Sequence, residues 1–272
     1  MLLLARSADK MEALRGELHQ LAASLNLPKP EVVLRSIDVG RDATEVGADL
    51  RKNVPELNRV SFLINNVGGR LHSSHVPWEG LALEDIDYDL DLNLGSAFVL
   101  TKLALPSILA SPAGGILNIA SLAANGVGFN ALYSGAKAGL VGASRALKRE
   151  LHMRGAHHVT VVVSMPGYVS TPLLNNASFA DFVTSDDLAN NDLNQFGSRF
   201  LMSSCIKHHI VGTAFAWANA FAPDSVEAYL FAASYSPSRT RPLVASNEGL
   251  APRSFESVEA ARTTVSQLRV EL

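Results

Sequence analysis

Tyr133 and Lys137 stand four residues apart in "ALYSGAKAGL", at the start of a helical pattern, so their side chains share one face of a helix. A tyrosine hydroxyl, with a pKa of about 10, is a poor acid or base at neutral pH; a nearby ammonium stabilises its phenolate. Ser121 closes a strand pattern upstream, where the chain could fold back to meet them. A serine hydroxyl there could hold a carbonyl oxygen while the tyrosine passes it a proton. Alone, the YxxxK spacing also describes an exposed lysine beside a core tyrosine, so the surrounding sequence must decide. Other chemistries find less support. "HSSH" (72–75) and the histidine pairs at 157–158 and 208–209 have no cysteine or carboxylate at ligand spacing, so no metal is expected. Neither Ser121 nor Ser144 sits in a GxSxG turn, which counts against a serine hydrolase.

The elements that would position these residues alternate along the chain. Strand patterns occur at "LLLA" (2–5), "EVVLRSID" (31–38), "VSFLIN" (60–65), "GILNIAS" (115–121) and "HVTVVVSM" (158–165). Between them, apolar residues recur at three- and four-residue spacing, as in Met11, Leu14, Leu18, Leu21 and Leu25, and again in Leu140, Ala143, Leu147 and Leu151. Nearly continuous apolar strands alternating with helices predict an α/β fold, a parallel sheet with helices on both faces. After Pro166 the rhythm breaks into the Asn- and Asp-rich "STPLLNNASFADFVTSDDLANNDLNQFG", which reads as a segment covering a substrate site. A single domain over 1–272 is expected, with a core over 1–174, a lid region over 175–250 and a terminal helix over 254–270.

Composition agrees with an ordinary globular chain. Its 272 residues are 47% hydrophobic and 18% charged, with a net charge of −3 and no basic run, so nucleic acid is not an expected partner. A domain of this size buries about three quarters of its unfolded surface. One cysteine, Cys205, precludes an internal disulfide and fits an intracellular, reducing compartment. The opening "MLLLA" is too short for a signal peptide and is followed at once by charge. The most apolar stretch, "IVGTAFAWANAFAP" (210–223), reads as a buried helix or pocket wall.

"INNVGG" (64–69), "DLNLGSAF" (91–98), "SLAANGVGFNALYSGAK" (121–137) and "SMPGYVSTPL" (164–173) follow one another in an order that resembles the short-chain dehydrogenase/reductase family. The resemblance runs from residue 1 to about 174. It implies a Rossmann-type doubly wound sheet and a nicotinamide cofactor. In that family pattern Tyr133 is the acid/base, Ser121 polarises the carbonyl, and Lys137 lowers the tyrosine pKa and binds the nicotinamide ribose. Asn93 holds a helix kink and a water of the proton relay. Asn66 and Gly68 line the cofactor; the backbone at Pro166, Gly167 and Val169 meets the carboxamide, Thr171 the pyrophosphate region and Asp38 the adenine. Asp38 could equally be a helix N-cap. Arg6 ends the first strand pattern with no acid beside it, which favours NADP(H) over NAD(H).

Narrower features, including "NNVG", "LPSIL" and "FAPDSVEAY", resemble the branch of 17β-hydroxysteroid dehydrogenases and very-long-chain 3-oxoacyl-CoA reductases. That branch implies a ketone or secondary alcohol on a lipid-like small molecule, with Phe215 and Trp217 suited to its pocket. Sepiapterin-type and general carbonyl reductases remain open. The family's opening TGxxxGxG strand is missing, and "MLLLARS" matches its second strand. The sheet should therefore lack the strand lying between the family's second and fourth strands. A truncated reductase and a non-enzymatic binding protein both follow from that loss. Gly135, Ala136, Gly139 and Ala143 resemble the face by which the family dimerises, which implies a homodimer or homotetramer; plain packing on the sheet would use the same residues equally well. A cytoplasmic location is expected, or the endoplasmic-reticulum membrane if, as the resemblance to that branch implies, an anchor precedes residue 1.

Overall fold

All five apolar runs form parallel strands: β1 (Leu2–Ala5), β2 (Val33–Ser36), β3 (Phe62–Asn65), β4 (Gly114–Ile119) and β5 (Val159–Ser164). The computed structural model describes residues 1–69, 76–128, 130–170 and 183–202, together with His208 and Thr213. The chain separates into two compact units, Met1–Thr240 and Arg241–Leu272, and every described residue belongs to the first. The expected terminal helix, Phe215, Trp217 and Thr171 lie outside the described residues.

β4 and β5 form the buried centre. Their β-branched and leucine side chains suit a strand covered on both faces, and Ile116 pairs with Val161 and Leu117 with Val162. β3 adds to the other edge of β4, and the two-residue β8 (Leu201–Met202) adds beside β5, giving the order β3-β4-β5-β8. Two further short strands, β6 (Val169–Ser170) and β7 (Val183–Thr184), pair with each other.

β1 and β2 form a separate parallel pair, Leu3 opposite Leu34. Among the described residues no strand bridges β1 and β3, so the sheet is divided at the place where the family resemblance leaves a strand out. Side chains hold the two parts together instead. Leu2 and Leu4 pack against the same core as Leu63, Val60 and Val67. On β3, Phe62 is 40% and Ile64 49% exposed, so one face of the strand is open, unusual for a parallel strand, while Leu63 and Asn65 on the other face are buried. Phe62 is partly covered by Phe196, whose ring lies edge-on with centroids 4.8 Å apart.

Helices flank these strands. α1 (Ala8–Ser24) is capped by the Ser7 hydroxyl, and α2 (Ala43–Asn53) by the Asp42 carboxylate. The cap of α2 is therefore Asp42, not Asp38. α1 departs from its sequence pattern: only Met11 and Ala22 are buried, and Leu14, Leu21 and Leu25 are exposed. It packs mainly on β1 and β2, and two strands offer too narrow a floor for the whole apolar stripe. α3 (Leu83–Leu90) runs through a π turn, Asp91–Gly95, into α4 (Ser96–Ala110). By length and composition this run could cross a membrane, yet Leu100, Ala104 and Ile108 lie in the core. α5 (Ala131–Met153) buries Leu132, Ala136, Leu140, Ser144 and Leu151, and α6 (Ser185–Gln195) follows β7. The small residues of α5 do not form one outward face: Ala136 is in the core, whereas Gly135 meets open space.

Candidate active site

Lys137 lies on the inward face of α5 and is only 3% exposed. Its Nζ donates to Ile119 O at the end of β4 at 3.0 Å. Burial disfavours the ammonium and brings its pKa down to about 8. The same Nζ lies 5.7 Å from the centre of the Tyr133 ring, one helical turn earlier. The spacing of four thus puts a polarisable amine beside the phenol, as the sequence pattern requires.

Gly68 closes the other side of this amine. A Cβ at Gly68 would stand 2.8 Å from Lys137 Nζ and 2.8 Å from Asn93 Oδ1, and its φ of +153° is one that side-chain-bearing residues rarely adopt. Only glycine lets the loop after β3 approach so closely. Asn93 fixes that loop: its Oδ1 accepts the Gly69 N–H at 2.9 Å, and its Nδ2 donates to Gly69 O and Asp89 O, both at 2.9 Å. The π turn around Asn93 widens the helix there. Gly69 is a partner the sequence motifs did not single out, although it adjoins Gly68 in "VGG".

Ser121 sits in extended backbone and caps the short 3-10 turn Leu122–Asn125, its Oγ accepting the Ala123 N–H at 3.1 Å. Leu122 N–H donates to Pro166 O at 2.9 Å, which joins the Ser121 loop to the loop after β5. Next to it, Gly167 N–H donates to Nδ1 of the buried His208 at 3.1 Å. A Cβ on Gly167 would meet the His208 ring at 2.8 Å. The histidine pair at 208–209 stands out in the sequence, but nothing local links His208 to Gly167, 41 residues earlier.

Asn93, Gly68 and Lys137 therefore converge, with Tyr133 one turn from Lys137 and Ser121 two residues beyond Ile119. Asn66 is exposed beside Gly68, and Val169 belongs to β6. Arg6 and Asp38 lie apart, after β1 and β2. Arg6 Nη1 donates to the Tyr88 hydroxyl on α3 at 2.8 Å, and Asp38 Oδ1 accepts the Gly40 N–H at 3.0 Å. In the family pattern Gly68 and Lys137 would stand at the nicotinamide and its ribose; here the space beside Gly68 is taken by Lys137 Nζ and Asn93 Oδ1. The pyrophosphate end has no TGxxxGxG loop in the sequence to receive it.

The model of the family described as short chain dehydrogenase matches residues 1–181. The ketoacyl reductase HetN of Nostoc sp. is 36% identical over 131 residues, 48% of this chain and 44% of that protein. The 3-oxoacyl-[acyl-carrier-protein] reductase FabG of Escherichia coli is 32% identical over 133 residues, 48% of this chain and 52% of FabG. The chain thus spans about half the length of the curated relatives it matches. Among solved structures, a short-chain dehydrogenase from Sphingobium yanoikuyae in complex with NADPH has a TM-score of 0.61 at 21% identity, covering 88% of each chain. A structure addressing 7beta-hydroxysteroid dehydrogenase stereoselectivity has a TM-score of 0.66 at 16% identity, covering 85% of this chain and 86% of that one. Those two likenesses establish the Rossmann-type α/β fold. With the family model spanning the elements that carry Asn93, Ser121, Tyr133 and Lys137, the chain belongs to the short-chain dehydrogenase family.

Proposed function

We propose that this chain carries the catalytic half of an NADP(H)-dependent oxidoreductase that interconverts a ketone and a secondary alcohol. The convergence of Lys137 Nζ, Gly68 and Asn93 one turn from Tyr133 carries this reading. Ser121 holds the substrate oxygen, and Tyr133 donates its phenolic proton to that oxygen during reduction or removes it during oxidation. Lys137, charged below a pKa of about 8, stabilises the tyrosinate that proton transfer leaves. Asn93 holds the Gly69 backbone and with it the floor of the nicotinamide site. A nicotinamide bound there would supply or accept the hydride.

Preference for NADP(H) rests on Arg6, which follows β1 where the sequence carries no acidic residue, and on solved neighbours described as NADPH or NADP complexes. A lipid-like substrate, a 3-oxoacyl thioester before a steroid, follows from the ketoacyl reductases among the relatives. The test is NADPH and NADH titration of the 272-residue chain, followed by reduction assays with 3-oxoacyl thioesters, a 17-ketosteroid and small ketones. NADPH binding and thioester reduction support the reading; binding with no reduction of any ketone overturns it.

The divided sheet supports a second reading, a family-derived binding protein without turnover. Absence of any cofactor binding, restored in a chain extended by a strand and glycine-rich loop before Met1, would assign catalysis to the longer protein alone.

A further inference from the structure

A chain of buried hydrogen bonds lies beneath the site and uses none of the residues placed in it. Asn65, the last residue of β3, donates through Nδ2 to Thr101 Oγ1 on α4 at 3.1 Å and to Asn118 Oδ1 on β4 at 2.7 Å. Asn118 Nδ2 donates to Ser144 Oγ on α5 at 2.7 Å, and Ser144 Oγ donates to Leu140 O at 2.6 Å. Asn65, Asn118 and Ser144 are 5%, 4% and 2% exposed. Asparagine is a poor choice for the middle of a fully buried strand, where its neighbour across the ladder is Val163. Its burial is tolerable because Nδ2 donates to Ser144 Oγ and Oδ1 accepts from Asn65 Nδ2.

Each member adjoins a part of the site. Asn65 directly precedes Asn66 to Gly68. Asn118 precedes Ile119, whose carbonyl receives Lys137. Ser144 lies two turns after Lys137 on the buried side of α5. Apolar packing holds a helix against a sheet without fixing its position along the axis, because it has no direction. A hydroxyl and an amide 2.7 Å apart do have direction.

We infer that Asn118 and Ser144 are positioning residues whose bond fixes α5 along β4 and so sets Lys137 Nζ against Ile119 O with Tyr133 beside it. The catalytic meaning of that position rests on the function proposed above; the position itself does not. Ser144→Ala leaves the Asn118 amide without its partner. The double variant Asn118→Val/Ser144→Ala leaves an apolar contact between β4 and α5 while Asn65 Nδ2 loses Asn118 Oδ1 and keeps Thr101 Oγ1, so unfolding free energy is measured on both variants to separate loss of position from loss of stability.

Two further readings are taken on the full chain: titration of the Lys137 amine by NMR of isotope-labelled lysine, its signal assigned with Lys137→Met, and the rate of ketone reduction. In both variants the Lys137 titration should move up from about 8 toward the ordinary lysine value of 10.5 as the amine gains water. The turnover number should fall up to about 10²-fold, with KM for NADPH within roughly twofold. An unchanged Lys137 titration in folded Ser144→Ala overturns the inference, as does wild-type turnover in either variant. If the wild-type chain reduces no ketone, the functional reading fails, and the titration still decides the positioning role.

Discussion

Replacing Lys137 by methionine should make the protein more stable at neutral pH, and the gain should vanish in alkali. The side chain is 3% exposed, and its pKa is lowered from 10.5 to about 8 by burial alone. Between these two values the unfolded chain holds a proton that the folded chain has released. Stability therefore rises with pH across that window, because the unfolded state binds more protons there. A difference of 10.5 − 8 = 2.5 pKa units corresponds to about 3 kcal/mol at about 1.36 kcal/mol per unit. Below pH 8 both states are protonated, and the folded state bears the whole cost of the buried charge. Methionine keeps the stem's packing and has no charge to bury. Urea unfolding of both proteins at pH 7 and near pH 10.5 measures the difference. Lys137→Met should be ahead by up to about 3 kcal/mol at pH 7, less the lost bond to Ile119 O, with the lead shrinking steadily as the pH rises. A difference independent of pH would show that the ammonium is not desolvated and would refute the reasoning.

Gly68→Ala should cost about 1–3 kcal/mol in unfolding free energy, because its Cβ would press on Asn93 Oδ1, an atom held by hydrogen bonding; it should also depress reduction strongly, and wild-type stability with wild-type turnover would remove the tight approach from the account. Asn93→Ala leaves both backbone groups of Gly69 without their partner and should cost about 1–3 kcal/mol. Faster amide hydrogen exchange at Gly69 is the local reading, and unaltered exchange counts against the clamp. Arg6→Ala should raise KM for NADPH by about tenfold and leave NADH nearly unaffected. Since Arg6 is exposed, its stability effect should stay within about 0.5 kcal/mol. Equal effects on both cofactors would exclude a 2′-phosphate contact.

Much of the site was legible because its chemistry follows local rules. A spacing of four on a helix puts Tyr133 and Lys137 together, and a glycine in "NNVGG" marks a close approach wherever it occurs. Five apolar runs were enough to place five strands, with ends within two residues. What escaped notice depends on contacts distant in sequence. Nothing near His208 says that its Nδ1 will accept a hydrogen bond from the Gly167 N–H, nor does "GGILNI" announce that its asparagine will reach Ser144. β8 is two residues long, too short for any periodicity, and exists because β5 offers an open edge. The exposed leucines of α1 show the same limit. Their spacing specifies a helix with an apolar stripe, but the width of sheet beneath that stripe is a property of the whole fold.

The central claim is that Tyr133, beside the buried amine of Lys137, moves the proton in a ketone reduction driven by NADPH. The direct measurement is the rate of NADPH oxidation with a ketone substrate for wild type and Tyr133→Phe, with NADPH affinity determined for both by fluorescence titration. The phenylalanine variant should bind NADPH within about twofold of wild type and turn over about 10²–10⁴-fold more slowly. Turnover retained by Tyr133→Phe at undiminished NADPH binding would contradict it.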